Sequence, residues 1–165
     1  MTQTDDTRWD GPTLAEAFRQ VRALTLRLLD AASDEQLFWV PEGLTNHTMW
    51  RMGHCLWVMD DVLIRPATGA SELPEGWAGK FEMDGRPPSE IAEWPSRDDV
   101  RAALVAQAAR VAALLSSADA ALLARPHPGW PTLGGYVIHG IHDEALHQGE
   151  TYFALKMQRV NIGYR

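Results

Sequence analysis

Four stretches of the sequence repeat apolar residues at intervals of three and four, and this spacing constrains the fold more than any other feature. The first stretch, between residues 12 and 32, carries Leu14, Phe18, Val21, Leu24 and Leu28. Such spacing places apolar side chains on one face of an α-helix. None of the sequence shows the alternation that is typical of β-strands. The pattern therefore predicts an all-α protein.

Capping and helix-breaking residues set the predicted bounds of these helices. The four predicted helices cover residues 12–32, 45–64, 96–117 and 132–158. Thr45 or Asn46 is expected to cap the second helix, Ser96 the third and Thr132 the fourth, because their side-chain oxygens can accept hydrogen bonds from the first turn. Pro66 is expected to end the second helix, since proline has no backbone N–H.

The long break between the second and third helices is the main irregularity of the predicted fold. Residues 66–96 contain five prolines, which disfavour regular structure, together with Trp77, Phe81 and Trp94. Unstructured loops of this length are uncommon, and the aromatic residues favour an ordered cover that packs on the core. We therefore predict a four-helix bundle with one long crossover between helices two and three, forming a single domain over residues 1–165.

Composition narrows the possible partners and the location. The net charge is −7 and Lys and Arg do not cluster, which argues against nucleic acid as a partner. The sequence lacks an uninterrupted apolar run of about 18 residues, so no membrane-spanning segment is predicted. A single cysteine, Cys55, and a polar, acidic N-terminus without the features of a signal peptide suggest the cytoplasm.

The histidines are the first indication of chemistry. His54 lies in the second predicted helix, and His139, His142 and His147 lie in the fourth. A lone histidine on an apolar face, such as His54, is more often a core residue with one hydrogen bond. However, neutral imidazole is the commonest metal ligand, and facing helices of a bundle can bring several ligands together. The distribution therefore suggests a metal site between these two helices.

The fourth helix leaves two choices of ligand. Residues four apart lie near one another on a regular helix, so His139, Asp143 and His147 would form a row. His142 and His147 are five apart and would converge only if a π-bulge interrupted the helix. The plainer interpretation is a charged, solvated face with incidental histidines.

Two segments resemble a known family. Asn46-His-Thr-Met-Trp50-Arg-Met-Gly53-His54 is similar to the N-x-x-x-W-x-x-G-H segment of the DinB/YfiT-like metalloenzyme superfamily. His142-Asp-Glu-Ala-Leu-His147-Gln-Gly149-Glu150 is similar to that family's H-x-x-x-H-x-G-Q/E segment. Their placement, in a chain of the expected size, makes the resemblance cover nearly the whole sequence.

The resemblance implies a metal site and the residues that form it. By position, His54 would be the first ligand and His147 the last. The family spacing selects Asp143 as the middle ligand, whereas residue type selects His142, and we favour His142 with a local bulge. The implied cofactor is a divalent ion such as zinc, nickel or another first-row metal, with open positions for water or substrate.

The resemblance also implies a reaction. Some relatives are thiol S-transferases, so we expect a metal-dependent enzyme that uses a low-molecular-weight thiol against a small electrophile, with Glu144 as a candidate base. The alternatives are a non-catalytic metal-binding or interaction domain and a metal-dependent hydrolase. The expected partners are a small-molecule substrate and a second copy of the chain, which would form a homodimer.

Overall fold

The computed structural model describes residues 9–83 and 93–163. Over these residues the regular elements are helical, and the only β-type pairing among them is an isolated bridge between His127 and Trp130. The prediction of an all-α protein is confirmed. In chain order the elements are α1 (Gly11–Ala31), α2 (Asp34–Phe38), α3 (Thr48–Met59), a π-helical turn (Asp60–Ile64), α4 (Arg65–Thr68), α5 (Ala78–Phe81), α6 (Arg97–Ser117), α7 (Ala120–Leu123) and α8 (Leu133–Met157).

Side-chain caps explain where the long helices begin. Ser96 accepts a hydrogen bond from the backbone of Asp99 at the start of α6, and Thr132 accepts one from Gly135 at the start of α8. Both caps match the prediction. The prediction of Thr45 or Asn46 as the cap of α3 is wrong, because His47 precedes the helix and its Nδ1 accepts the backbone N–H of Trp50 at 3.0 Å.

The second long helix does not end before Pro66, which corrects the predicted boundary. After α3 the backbone widens into the π-helical turn, and the N–H of Arg65 bonds the carbonyl of Asp60 five residues back. A new α-helical register then starts, with Pro66 in its first turn. Proline is tolerated there because N–H groups in a first turn have no intrahelical partner. The helix therefore continues to Thr68.

The helix α8 lies against both α1 and α3, and α6 lies against the same two helices. One part of the core surrounds Phe81, Trp94 and Leu104, and the other surrounds Phe18 and Met59. Gly140 allows α8 to approach the π-helical turn closely, because a Cβ at this position would lie 2.8 Å from Val62. This close approach aligns α3 and α8 side by side over several turns.

The crossover packs on this core where it is described. Phe81 is fully buried, Trp94 is 7% exposed and Trp77 packs against the same cluster, so the predicted role of these aromatic residues is confirmed. Residues 84–92 of the predicted crossover lie outside the described residues.

Of the described helices, α6 alone has the length and composition of a membrane-spanning segment, with a mean hydropathy of 1.2 over its most apolar window. It also carries Asp98, Asp99 and Arg101, and it buries Val100 and Leu104 in the protein core. Core helices of water-soluble proteins meet the same criterion, so the helix is weak support for a membrane span. The cytoplasmic location stays a prediction.

Candidate metal centre

The ring of His54 is held between two tryptophans of its own helix. Trp50 and Trp57 lie four residues before and three residues after it, positions that share one side of an α-helix. Both indoles are nearly parallel to the imidazole, with centroid distances of 4.5 Å and 5.4 Å. The sequence of α3 therefore fixes the plane of the ring and keeps water away from its faces.

A backbone carbonyl of the crossover fixes the tautomer of His54. Nδ1 of His54 lies 2.6 Å from the carbonyl oxygen of Phe81. Because a carbonyl can only accept, Nδ1 carries the proton and Nε2 keeps its lone pair. Gly53 makes this contact possible, since a Cβ there would lie only 2.1 Å from the Phe81 ring.

Two residues of α8 face Nε2 of His54. Asp143 and His147 are four apart, so a regular helix places them on the same side. Oδ2 of Asp143 lies 3.7 Å from Nε2 of His54 and 3.7 Å from Nε2 of His147. One ligand atom from each of the three residues lies within 4.8 Å of the others, so a single ion could contact all three.

Two of these atoms are buried without a hydrogen-bond partner. They are Nε2 of His54 and Oδ2 of Asp143. Buried polar atoms are nearly always satisfied, so an unpaired nitrogen and an unpaired carboxylate oxygen that face each other are suited to share a cation. Two imidazole nitrogens and one carboxylate oxygen also form a common donor set for first-row divalent metals. The residues present therefore fit a divalent ion.

The protonation of the cluster suits metal binding. Burial lowers the pKa of His54, and the hydrogen bond to Phe81 offsets only part of this effect, so the ring is neutral at pH 7. Burial alone would raise the pKa of Glu150, but hydrogen bonds from His147 and Arg51 outweigh it and the pKa is lowered. Glu150 is thus a carboxylate that accepts hydrogen bonds.

Glu150 and Arg51 support the cluster from behind. Oε2 of Glu150 lies 2.8 Å from Nδ1 of His147 and 2.9 Å from Nε of Arg51. A carboxylate at Nδ1 holds the proton there and leaves Nε2 of His147 free to bind an ion, an arrangement common in metal sites. Both histidines therefore present the same nitrogen to the site.

The structure separates the two candidate middle ligands. α8 is α-helical throughout, so the bulge that His142 requires is absent, and His142 is exposed on another side of the helix. Asp143 instead meets His54 and His147. His139 is also exposed, and its ring stacks on Trp130 at a centroid distance of 4.7 Å. The bulge expected for His142 is therefore absent, and the cluster that could hold an ion contains Asp143.

The structure places Glu144, the candidate base, against α1 rather than α3. Both of its oxygens bond to Arg22, at 2.8 Å and 2.9 Å, and Thr25 donates a third hydrogen bond to the carboxylate. Gln107 accepts from Arg22 and donates to the backbone of Leu56, so it belongs to this network. The network sets the rotation of α8 that turns Asp143 towards α3, and a role of Glu144 as a base stays a prediction.

Several supporting residues were not predicted from the sequence. Arg51 and Glu150 lie inside the two quoted segments, but their pairing becomes visible only when α3 and α8 are placed side by side. The spacing of Glu150, three residues after His147, was an available signal. Phe81 contributes a backbone atom, which no residue pattern reveals. Cys55 is buried, and burial raises the pKa of its thiol.

Comparison with known families shows to which family this chain is related. The sequence profile of the DinB superfamily matches residues 17–151, which include His54, Asp143 and His147. The chain belongs to the DinB superfamily. A search of curated proteins finds no match. The resemblance noted in the sequence is thus confirmed, and the three-residue cluster of this DinB superfamily member fits a metal-binding protein.

Proposed function

We propose that this protein is a divalent-metal-dependent enzyme that joins a low-molecular-weight thiol to a small electrophile. His54, Asp143 and His147 would hold the ion, which would be zinc, nickel or another first-row metal. The observation that carries the proposal is the pair of buried, unpartnered atoms, Nε2 of His54 and Oδ2 of Asp143, next to Nε2 of His147. Three protein ligands leave coordination positions open, as catalytic sites require.

The residues of the chain would prepare the site for this chemistry. When bound, the ion would supply a Lewis acid that favours the deprotonated form of a thiol at neutral pH. Trp50 and Trp57 cover the faces of His54 and keep bulk water from the ligand nitrogen. The carbonyl of Phe81 and the carboxylate of Glu150 hold protons on Nδ1 of the two histidines. The ligand nitrogens are thereby oriented before an ion arrives.

We also propose the finer architecture that was expected. The helices α1, α3, α6 and α8 would form a four-helix bundle within one domain, and the segment between α4 and α6 would be the long crossover. The packing of α8 and α6 against both α1 and α3 supports this arrangement.

Metal content tests the site, and adjacent residues of α8 provide a matched control. We expect stoichiometric metal in untagged wild-type protein and near-zero metal in His54→Ala and Asp143→Ala, because each change removes a ligand. His142→Ala, one residue away but exposed, should bind metal like the wild type. The measurement is elemental analysis by mass spectrometry after dialysis. Equally low metal in all four proteins would contradict the proposal.

Thiol consumption tests the reaction. Metal-loaded protein is incubated with a panel of low-molecular-weight thiols and a generic electrophile, and the loss of free thiol is followed. We expect a rate above that of His147→Ala, which lacks a ligand. Equal rates would contradict thiol transfer. Release of a hydrolysis product without any thiol would favour a metal-dependent hydrolase.

A further inference from the structure

Arg51 lies next to the proposed metal site, but binding of a metal does not explain the placement of its side chain. It is 3% exposed, and its Nε donates to Glu150 at 2.9 Å. Its Nη1 is buried and has no hydrogen-bond partner. A buried guanidinium is costly to desolvate unless all of its N–H groups are satisfied, so half-paired arginines are rare in protein interiors. Nη1 of Arg51 therefore lacks an acceptor.

Other unpartnered atoms concentrate around Arg51. In the described parts of the chain, the buried side-chain atoms without a partner belong to residues 47–54 or to α8, the helix that packs on them. Within one turn of Arg51 they include Nε1 of Trp50 and Oγ1 of Thr48. Trp50 itself touches the rings of His54 and His147, with centroid distances of 4.5 Å and 5.9 Å. The unpaired N–H donors thus border the proposed metal site.

The chemistry of these donors selects an anionic partner. Nη1 of Arg51 and Nε1 of Trp50 can only donate hydrogen bonds, so the partner of each must be an acceptor. A guanidinium presents its N–H groups in a fixed planar fork, which matches the two oxygens of a carboxylate. With a divalent ion bound, the positive charges of the ion and Arg51 exceed the negative charges of Asp143 and Glu150. An anion is therefore favoured over a neutral group.

We propose that Arg51, through Nη1, binds the carboxylate of the small molecule that reacts at this site. This inference rests on the proposed function and adds the substrate class, a carboxylate-bearing thiol or electrophile. Nη1 is closed off from water, so the carboxylate reaches it after a neighbouring side chain moves.

Matched acid and amide probes test the proposal by calorimetry. The thiol pair is 3-mercaptopropionate and 3-mercaptopropionamide, and the thiol-free pair is succinate and succinamide. For wild-type protein loaded with zinc we expect the acid of at least one pair to bind about tenfold more tightly than its amide, the strength of a hydrogen bond to a charged group. A preference in the thiol pair alone assigns the carboxylate to the thiol. A preference in the thiol-free pair alone assigns the carboxylate to the electrophile.

Substitutions show whether Arg51 causes the preference. Arg51→Met, loaded with saturating zinc, should bring the ratio of acid to amide affinity close to one. Arg101→Met is the matched control, because Arg101 is a half-exposed arginine of α6 paired with Asp30, and it should leave the ratio unchanged. If Arg51→Met does not fold, Arg51→Lys keeps the charge without the fork and should lower the ratio severalfold.

Other outcomes would overturn the inference. A wild-type ratio near one in both pairs would show that no carboxylate is recognised. An unchanged ratio in the Arg51 variants would show that the zinc ion itself binds the acid. If zinc does not bind, the proposed function fails. Titration of the metal-free protein with the same acids and amides then tests Arg51 separately, by whether the acid binds more tightly than its amide. In the metal-free protein, a preference for the acid that Arg51→Met removes would support the inference. No preference for the acid would contradict it.

Discussion

At the scale of single residues, the histidine that caps α3 and the histidine within α3 use the same ring in opposite ways. His54 donates through Nδ1 to Phe81 and turns Nε2 towards α8. His47 accepts through Nδ1 from the backbone of Trp50 and serves as the cap of the helix. Both functions require a neutral imidazole, and burial lowers the pKa of both residues, that of His47 to about 4. Stability and metal binding therefore share a dependence on pH.

The cap at His47 should make the fold sensitive to mild acid. The unfolded chain binds a proton at His47 with a pKa near 6.5, and the folded chain with one of about 4, so falling pH favours unfolding between these values. Between pH 7 and 5 this residue should cost about 2 kcal/mol of stability. His47→Asn keeps a capping oxygen without a titrating ring. The free energy of unfolding is measured with urea on the metal-free proteins at both pH values. From pH 7 to pH 5 the wild type should lose about 2 kcal/mol more of it than His47→Asn.

The comparison isolates His47 from other groups that titrate. His54 and the carboxylates are present in both proteins, so their contributions cancel in the difference. Parallel loss of stability in the wild type and His47→Asn would show that His47 does not carry the effect.

The sequence predicted the histidines of the site better than its carboxylate. His54 and His147 follow from two segments with a clear resemblance and from helix faces that can meet. The choice between Asp143 and His142 depended on whether α8 is regular. Residue type argued for histidine, but the close approach at Gly140 and the ion pair of Glu144 with Arg22 hold α8 in a regular helix facing α3. Such tertiary contacts have no local trace in the sequence.

At the scale of helices, periodicity and caps predicted α1, α6 and α8 to within a few residues. The error at Pro66 came from applying the rule for a regular helix, whereas the π-helical turn before it starts a new register. The short helices α2, α5 and α7 have four or five residues, too few to show an apolar period. Local residue patterns therefore predicted the long helices, whereas tertiary packing determines the short helices and the boundary near Pro66.

Two glycines from the quoted segments should respond oppositely to the same substitution. Gly53→Ala places a methyl group 2.1 Å from the Phe81 ring and should destabilise the fold by about 1–3 kcal/mol. Gly149→Ala meets no atom within 4 Å and should stabilise α8 by up to about 1 kcal/mol, because alanine favours helix. Denaturant unfolding measures both.

The zinc affinity of the two glycine variants shows whether the packing of Phe81 supports the metal site as well as the fold. Gly53→Ala should also weaken zinc binding about tenfold or more, since displacement of Phe81 removes the carbonyl that orients His54. Gly149→Ala should bind zinc like the wild type. A loss of stability in Gly53→Ala with unchanged zinc affinity would show that the carbonyl does not support the ligand.

At the scale of the whole molecule, α8 leaves an apolar stripe uncovered. Leu146, Phe153 and Met157 are 62%, 72% and 62% exposed, and their spacing of seven and four places them on one face. This stripe supports the expected homodimer, which stays a prediction. Phe153→Glu should convert a dimer to a monomer in sedimentation equilibrium. Met83→Glu, a change of an equally exposed apolar residue elsewhere, should not; a monomeric wild type would contradict the prediction.

The hydrogen bond from His54 to the carbonyl of Phe81 has a consequence for the evolution of such proteins. Any amino acid supplies a backbone oxygen, so the crossover could diverge widely in sequence and still orient the histidine. The evolutionary constraint would fall instead on positions 53 and 81 together, because only glycine at position 53 leaves room for the aromatic ring of Phe81. Alignments of related chains should therefore show a glycine before the first histidine wherever position 81 is aromatic, together with a crossover of otherwise variable sequence.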